Sequence, residues 1–524
     1  MSFVSSDFSR RNFLVSIGVI TAGAGLAACG GASTSTSTSG PSRTPKTGGT
    51  LKIGTASVSP YLNPLVATTG AVAWVTAPVV ETLFFFDSDM KSVPLLAAGE
   101  PKISADEKTW TIAIRDGISF SNGDPLTAEH VVAVLNHVAD PKAFSDWTNY
   151  FGPRITSAKA VDKSTVEISL PAPYGIMRSH LNNLPIIHKD FLEKKDTTMG
   201  TGPFVIGAVT QGEKVQLTPN KGYHGKASAL DEIIFTAVAD PATRLVNLRE
   251  GKIDVMTDVP PDNVALLKTD KDITVHITQA PIDVLTYFNA SKPPFNDVRA
   301  RQALAHAMDR GGVADVVYSG TAPIGQGPIG PATEGYNADI KLYGDAPNVE
   351  KAKALLTEAG LDSLNFTLTI SSSNAALKNA AQVLVEGWKK AGINCTLDIV
   401  DGGKWVPQWL AGEYEMMMNS FASGIAGGQS AYTLLSTYVS SSPVNYGYKN
   451  EKVDDLVRRA WATVDAGERA KLCSQADQLL AEDAIACPPV YPSFIVAQRN
   501  DITTLDKSLM SVGRINAISV QALA

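Results

Sequence analysis

Along residues 348–400 the spacing of apolar residues switches repeatedly between helix and strand periods, which leaves few folds open. "VEKAKALLTEAG" and "NAALKNAAQVLVEGWKKAG" carry apolar residues at helical spacing, whereas "NFTLTI" and "INCTLDIV" alternate as strands do. Asn348 is predicted to cap the first helix, and Gly360 to end it. Because strands joined by a helical crossover are usually parallel, this run predicts a parallel sheet covered by helices. The last strand places four residues on one face: Ile393, Cys395, Leu397 and Ile399.

The rest of the chain mixes the same two kinds of element. "TWTIAIRDG" and "STVEISL" alternate as strands, and Asp116-Gly117 marks a turn. Thr127 is predicted to cap the helix that follows, and Asp297 to cap "VRARQALAHAMDR". With 524 residues, of which 44% are hydrophobic, the chain is long enough to divide into more than one lobe. The expected architecture is α/β, with two lobes that enclose a cleft.

Residues 1–28 have the composition of an export signal. Arg10 and Arg11 precede Phe-Leu and a short apolar run, an order typical of the twin-arginine route. The run ends in Leu-Ala-Ala-Cys, which resembles a bacterial lipobox and predicts that Cys29 is acylated and becomes the mature N-terminus. An ordinary cleaved signal with an incidental cysteine is the alternative. Residues 29–47, rich in Ser, Thr and Gly, are predicted to be a flexible tether, with the fold beginning near Gly48.

Charge and cysteine usage argue against several classes of partner. The 45 basic and 52 acidic residues give a formal charge of -7, with no basic block beyond the N-terminus, so no nucleic acid partner is predicted. The histidines are scattered, and Cys395, Cys473 and Cys487 form no zinc-type cluster, so no metal and no cofactor are predicted. Cys473 and Cys487 either form a disulfide or remain buried free thiols, and both alternatives stay open.

The sequence carries none of the common catalytic signatures. GxSxG, HExxH and Walker A patterns are absent. Residues 325–330 match GxGxxG literally, but Pro328 and Pro331 oppose a phosphate-binding helix start, so this segment is predicted to be a loop. The absence of these motifs is weak evidence against an enzyme. Scattered His, Ser, Asp and Glu residues can still meet in space, which leaves an exported hydrolase as the rival class.

Several aromatic residues stand in neighbourhoods rich in Gly, Pro, Ser and Asn rather than on periodic core faces. Such rings either pack against the protein or contact a ligand, and their shared loop setting favours ligand contact. They are Tyr61, Trp74, Trp147, Trp405, Phe421 and Tyr446.

Five segments in order resemble the extracellular solute-binding proteins of ABC importers, in the family that handles peptides, nickel chelates, opines and some oligosaccharides (family 5). They are "ETLFFFDSDMKSVPLLAAGEPKISADEKTWTIAIRDGISFSNGDPLTAEHVV", "GTGPFVI", "DEIIFTAVADPATRLVNLREGKIDV", "YFNASKPPFNDVRARQALAHAMDR" and "EKAKALLTEAG". The resemblance covers the chain from about Gly48 to the C-terminus.

The resemblance implies a type II periplasmic-binding-protein-like fold, with two α/β lobes joined by hinge strands and an extra subdomain in the first lobe. Lobe I is expected at 48–286 with the subdomain at roughly 88–190, lobe II at 287–490, and a return to lobe I at 491–524. It also implies a receptor that delivers an organic solute, above all a short peptide, to an ABC permease. We expect a monomer, lipid-anchored through Cys29 to the outer face of the cell membrane, and no catalysis.

The stretch "YEMMMNSFASG" resembles the family segment in which a Trp-x-x-Asp-like motif lines the cleft, where the aspartate pairs with a peptide ammonium. Phe421 stands at the tryptophan position and Gly424 at the carboxylate position, so the chain departs from the pattern. Three ligand hypotheses follow: a peptide whose ammonium meets another acid, an amine-free solute such as an oligosaccharide, or a nickel chelate. The candidate ligand-binding residues are Tyr61, Asn63, Asn289, Trp405, Ser420, Phe421 and Ser423.

Overall fold

The computed structural model describes residues 46–87, 91–279, 282–361, 363–372, 375–422, 431 and 435–503. The predicted export signal with Arg10 and Arg11, the acylation site Cys29, Ser423 and Gly424 lie outside these ranges. The described residues belong to one compact unit. Within them, no helix has both the length and the apolar character that a membrane span requires.

Strands and helices alternate along most of the chain. The strands are β1 Thr50–Thr55, β2 Glu81–Thr82, β3 Phe84–Phe86, β4 Ser92–Pro94, β5 Lys102–Ile103, β6 Thr109–Ala113, β7 Ser157–Ala160, β8 Thr165–Ser169, β9 Pro185–Ile186, β10 Phe204–Thr210, β11 Lys214–Pro219, β12 Glu232–Ala237, β13 Val255–Met256, β14 Ile273–Gln279, β15 Ile282–Phe288, β16 Leu364–Ser371, β17 Ile393–Val400, β18 Met416–Ala422 and β19 Ser493–Arg499. The α-helices are α1 Gly70–Thr76, α2 Ala128–Ala139, α3 Thr148–Phe151, α4 Met177–Leu181, α5 Pro241–Arg249, α6 Val264–Lys268, α7 Val298–Ala307, α8 Arg310–Gly312, α9 Val349–Glu358, α10 Ala375–Lys390, α11 Gly402–Ala411, α12 Glu451–Ala462 and α13 Ala466–Glu482.

The first lobe is built on a mixed sheet of seven described strands in the order β10-β11-β12-β1-β13-β19-β14. β1 lies between β12 and β13 and is parallel to both, while β14 pairs antiparallel with β19. Beside this sheet, β5, β6, β8 and β7 form a four-stranded antiparallel sheet. Its apolar cluster runs from Leu65 to Ile187 and includes the buried face of α2. This second sheet occupies the region where the extra subdomain is expected.

The second lobe contains the sheet β15-β18-β16-β17. β16 and β17 are parallel and joined by α10, which confirms the parallel pair predicted from residues 348–400. The predicted caps Asp297 and Asn348 are confirmed, since their side chains accept hydrogen bonds from the backbone N–H groups of Arg299 and Lys351. Thr127 does stand before α2, but its hydroxyl contacts the His130 ring at 3.0 Å instead of capping the helix.

The chain changes sheet between Gln279 and Ile282, because β14 pairs in the first sheet and β15 in the second. The change therefore comes before the expected boundary at 286/287, and all of β15 belongs to the second sheet. The chain returns through β19, whose first residue, Ser493, pairs with Gln279. On the other side of the junction, the backbone N–H of Cys487 donates to Thr286 at 3.0 Å. The two connections between the lobes thus run side by side.

The structure decides between the two alternatives left open for the cysteines. Cys395, Cys473 and Cys487 are all free thiols, so a disulfide between Cys473 and Cys487 is wrong and buried free thiols are confirmed for this pair.

The structure also corrects the prediction for three aromatic residues. Trp74, Trp147 and Trp405 were expected in loops but are buried, and Trp74 and Trp405 lie within helices α1 and α11. The indole N–H of Trp147 donates to the Pro64 carbonyl at 2.8 Å, which makes this ring part of the first-lobe core. The GxGxxG segment at 325–330 is a loop, as predicted.

Candidate ligand-binding site

Helix α11 forms despite two glycines and a proline among its ten residues. The side chain of Asp401 caps its first turn by accepting from the Lys404 N–H at 3.1 Å. Gly412 ends it with φ of +66°, a left-handed conformation that suits glycine, and the Tyr446 ring lies so close that a Cβ at Gly412 would approach it to 2.5 Å. The caps at its two ends and the burial of its apolar side chains therefore stabilise the helix.

The buried side of α11 packs against the face of the second sheet that carries Leu285, Tyr287 and Met417. Trp405 is only 4% exposed, and Trp409, one turn further along, stacks against it with ring centroids 5.8 Å apart. Tyr287 contacts Trp409 at 5.5 Å between centroids. The spacing of four residues between the two tryptophans places both rings on one side of the helix.

Three polar atoms on this helix are buried and, within the described part of the chain, have no hydrogen-bond partner. They are the indole nitrogens of Trp405 and Trp409 and the amide oxygen of Gln408. We refer to Trp405, Gln408 and Trp409 as the indole wall. An unpaired buried N–H or C=O group costs about 1–3 kcal/mol, so such groups are rare away from sites that a ligand or water completes. The wall offers two donors and one acceptor, and none of its three side chains carries charge.

The phenols beside the indole wall are neutral as well. Burial raises the pKa of Tyr414 far above its ordinary value, and burial also raises the pKa of Tyr446. The two rings meet edge to face at 5.6 Å. Tyr446, expected in a loop, donates its hydroxyl hydrogen to the Leu410 carbonyl at 2.6 Å and so braces the end of α11.

Two of the candidate residues, Tyr61 and Asn63, lie in the first lobe on the loop after β1. Tyr61 is 38% exposed and meets Phe144 edge-on at 6.4 Å. Asn63 is fully buried, and its amide donates to the carbonyls of Phe191 and Lys194 at 3.0 and 2.6 Å. The Asn63 side chain therefore holds the loop in place in this conformation.

Asn289 lies at the opposite end of β15 from the residues expected beside it. Its amide donates to the carbonyls of Gly412 and Tyr414 at 3.0 and 3.2 Å. β15 runs antiparallel to β18, so Asn289 lies about 24 Å along the strand from the pair Ile282–Ala422, at about 3.4 Å per residue. The structure does not bring Asn289 together with Ser420 and Phe421.

Ser420 and Phe421 lie among the last three residues of β18, close to the carboxyl end of this strand. In register, Ser420 pairs with Val284 and Phe421 with Asp283. Met416 and Met418 belong to the main second-lobe core, so by alternation the half-buried Ser420 lies on the same face as these two and opposite to Trp405.

Sequence reasoning missed Gln408, Trp409 and Tyr287 as site residues. The signal was present in the spacing of Trp405 and Trp409, with a capping Asp401 before them and Gly412 after them. Gly402, Gly403 and Pro407 obscured it, because these residues are read as loop formers.

The two lobes contact each other directly at Gly175, which follows the subdomain strand β8. Its N–H donates to the Trp461 carbonyl of α12, and its carbonyl accepts from Arg469 of α13, both at 2.7 Å. The Tyr174 and Trp461 rings lie 4.6 Å apart. A Cβ at Gly175 would approach the Thr463 carbonyl oxygen to 2.0 Å, so only glycine permits this approach.

The family model described as "Bacterial extracellular solute-binding proteins, family 5 Middle" matches residues 91–445. The dipeptide-binding protein of Escherichia coli (strain K12) is 26% identical over 462 residues, covering 81% of this chain and 86% of its own. The periplasmic binding protein DppA of Helicobacter pylori, solved with peptide STSA, has a TM-score of 0.76 at 25% identity and covers 91% and 99% of the two chains. NikA of Staphylococcus aureus, solved with Ni(L-His)2, has a TM-score of 0.71 at 26% identity, covering 90% and 99%.

These findings agree with the two-lobe α/β architecture described above. Proteins of this family are extracytoplasmic receptors of ABC importers and catalyse no reaction. Because the family model covers more than half of its length, the chain belongs to the bacterial extracellular solute-binding proteins of family 5.

Proposed function

We propose that the chain is a lipid-anchored receptor that captures a short peptide and delivers it to an ABC permease. The observation that carries the ligand class is the indole wall, with two buried N–H donors and one buried acceptor that have no partner among the described residues. A peptide bond presents the matching groups, because its carbonyl accepts from an indole N–H and its own N–H donates to the Gln408 amide oxygen.

The peptide hypothesis also needs a carboxylate for the ligand's ammonium group, since an unpaired buried charge is costly. Gly424 supplies none. We propose Asp283 for this role, because the backbone register of the β15–β18 pair aligns it with Phe421, three residues before the family carboxylate position at Gly424. An amine-free solute would not require Asp283, so this residue separates the two hypotheses.

The test begins with native mass spectrometry of the full-length exported protein purified from rich medium, with identification of any released solute. Calorimetric titration then compares a dipeptide such as Ala-Phe with its N-acetylated form. We expect Asp283→Asn to weaken dipeptide binding at least about tenfold, because the charge partner is lost, and to leave binding of the acetylated form unchanged. Asp339→Asn, at an exposed loop position, is the matched control.

Two results would contradict the peptide hypothesis. One is co-purification of a sugar or another amine-free solute in place of peptides. The other is equal binding of the dipeptide and of its N-acetylated form to the parent protein, whereas equal binding of the dipeptide to the parent protein and to Asp283→Asn would contradict only the role of Asp283. A histidine-bound nickel complex in the released fraction would support the chelate alternative instead; the described residues contain no cluster of three or more His, Cys, Asp or Glu side chains that would hold a metal ion.

A further inference from the structure

Arg310 is a charged side chain that the core of the second lobe encloses completely. It is the first residue of the short helix α8, and its exposed fraction is 0%. Ala305, whose carbonyl it contacts, and Tyr343, whose ring it faces, both belong to the main apolar cluster of this lobe. The guanidinium group therefore lies inside the second lobe rather than in the cleft between the lobes, and it is separate from the indole wall.

Most of the hydrogen-bonding capacity of this guanidinium group is unused. Its Nη1 donates to the Ala305 carbonyl at 2.6 Å, and its central carbon lies 4.8 Å from the centre of the Tyr343 ring. Its Nε and Nη2 are buried and have no hydrogen-bond partner within the described residues. Because Nε and Nη2 carry most of the five N–H groups of an arginine, the larger part of its donors face no acceptor. Buried donors of this kind call for a bound ion or water.

The positive charge of Arg310 is also unbalanced. Arg301 lies close by, since both arginines act on the Cys487 thiol, and the negative charge of Asp483 balances that of Arg301. Among the described residues, no carboxylate forms an ion pair with Arg310. Asp345 acts on it electrostatically, but this carboxylate is exposed to solvent. A buried charge without a counter-ion is costly, so a negative charge is missing beside Arg310.

The titratable side chains around Arg310 do not supply that negative charge. Burial raises the pKa of Cys487 to about 11, even though the positive charge of Arg310 lowers it, so the thiol is neutral at pH 7. Burial also raises the pKa of Tyr343 far above its ordinary value. Burial lowers the pKa of His306, and the charge of Arg310 lowers it further, which favours the neutral imidazole. The neighbours of Arg310 therefore leave one positive charge uncompensated.

We propose that Arg310 binds a small monovalent anion, of which chloride is the type, inside the second lobe. The anion accepts hydrogen bonds from Nε and Nη2 and supplies the missing negative charge. Complete enclosure of the side chain admits only a small ion, and one positive charge matches one negative charge. A water molecule in the same place would satisfy the N–H groups but would leave the charge unbalanced. This site goes beyond the proposed peptide receptor and does not depend on the solute that the indole wall binds.

The melting temperature of the full-length protein in rising sodium chloride tests the proposal, with sodium gluconate added to hold the ionic strength constant. Gluconate is too large for the enclosed site. We expect the melting temperature of the parent protein to rise with chloride and to level off as the site fills. Arg310→Met removes the charge and is expected to lose this dependence. Arg458→Met, at a position whose side chain is 72% exposed, is the control and is expected to keep it.

Anomalous diffraction from crystals of the parent protein soaked in sodium bromide locates the ion directly, and it keeps the test decisive where Arg310→Met does not fold. We expect a bromide peak within hydrogen-bond distance of Nε and Nη2 of Arg310. Bromide at exposed positions only, an adventitious ion, would overturn the proposal. So would a melting temperature of the parent protein that does not depend on chloride at constant ionic strength, or an unchanged dependence in Arg310→Met.

Discussion

At the scale of single residues, the most unusual group is Asp477, a carboxyl buried in α13. It accepts one hydrogen bond, from the Ile329 N–H at 3.0 Å, and burial raises its pKa from 3.8 to about 8. Burial raises the pKa values of Cys473 and Tyr336, and the negative charge of Asp477 raises them further. Asp477 is therefore mostly protonated in the folded protein at neutral pH, and ionised in the unfolded chain.

We expect Asp477 to make the folded state less stable as the pH rises. Since the folded pKa lies above the unfolded value, its contribution is fully present below about pH 4 and is lost as the pH rises through about 8. Each pH unit in this window lowers the unfolding free energy by up to about 1.4 kcal/mol. Asp477→Asn, which keeps an acceptor for Ile329, should flatten melting temperature against pH between pH 5 and 8. A curve as steep as that of the parent would contradict this prediction, and Asp339→Asn is the exposed control.

The indole wall gives a second prediction at this scale. Trp405→Phe and Trp409→Phe each keep an aromatic ring and remove an N–H, so we expect each to weaken solute binding about fivefold, with a change of melting temperature below that of a core mutation. Trp388→Phe is the control, because its indole N–H is already bound to the Leu304 carbonyl at 3.1 Å. The control is expected to lower the melting temperature and to leave binding unchanged. If Trp388→Phe weakens binding and the Trp405 and Trp409 variants do not, the indole wall is not part of the binding site.

Single residues also show where sequence reasoning fails. Asn63, in the loop after the first strand, and Asn289, at a strand end, were candidate ligand-binding residues, yet both amides bind backbone carbonyls of their own lobe. An asparagine that binds ligand and one that holds a loop look alike in a sequence. The difference depends on whether carbonyls from distant parts of the chain come within reach, as those of Lys194 and Tyr414 do.

At the scale of elements, the strands and the capped helices could be predicted, and α11 could not. Asp297 and Asn348 lead directly into apolar residues at helical spacing, so local pattern and capping agree. In α11 the local preferences of Gly402, Gly403 and Pro407 oppose a helix. Burial of Trp405 and Trp409 against the second sheet outweighs them, and that contact depends on the tertiary structure.

The contact between the subdomain and helices α12 and α13 leads to a prediction about Gly175. Gly175→Ala places a methyl group against the Thr463 carbonyl and should break the hydrogen bonds to Trp461 and Arg469, at a cost of about 2–4 kcal/mol. We expect a lower melting temperature and, by small-angle X-ray scattering, a larger radius of gyration. Gly70→Ala is the control, because no atom lies within 4 Å of a Cβ there. An unchanged radius in Gly175→Ala would mean that this contact does not hold the lobes together.

At the scale of the whole molecule, the α/β class and the two-lobe receptor architecture were predicted correctly. The residue at which the chain crosses between the lobes was harder to predict from the sequence. β15 is apolar enough for either sheet, and only its hydrogen bonds to β18 assign it to the second. The proposed class of ligand rests on three polar groups of a single helix, and their burial without a partner depends on the packing of that helix against the second sheet, which a linear pattern does not reveal.

The lipid anchor is a prediction about the whole molecule, because it determines where the receptor works. We expect Cys29→Ser to release the protein from the membrane fraction into the soluble fraction, since acyl chains contribute about 0.8 kcal/mol per buried methylene. Fractionation of cells followed by immunoblotting measures this. Cys395→Ser, in the middle of β17, is the control and should stay with the membrane. Release of both variants, or of neither, would contradict acylation at Cys29.

The indole wall lies on one continuous stretch, from the end of β17 through α11 to β18. None of the strands of the first sheet and neither of the two connections between the lobes belongs to this stretch. On the proposed function, the part of solute preference that the indole wall supplies is therefore encoded in fewer than 30 consecutive residues that evolution, or a protein engineer, can exchange as a unit. The surrounding scaffold and its delivery route to the permease would be inherited unchanged.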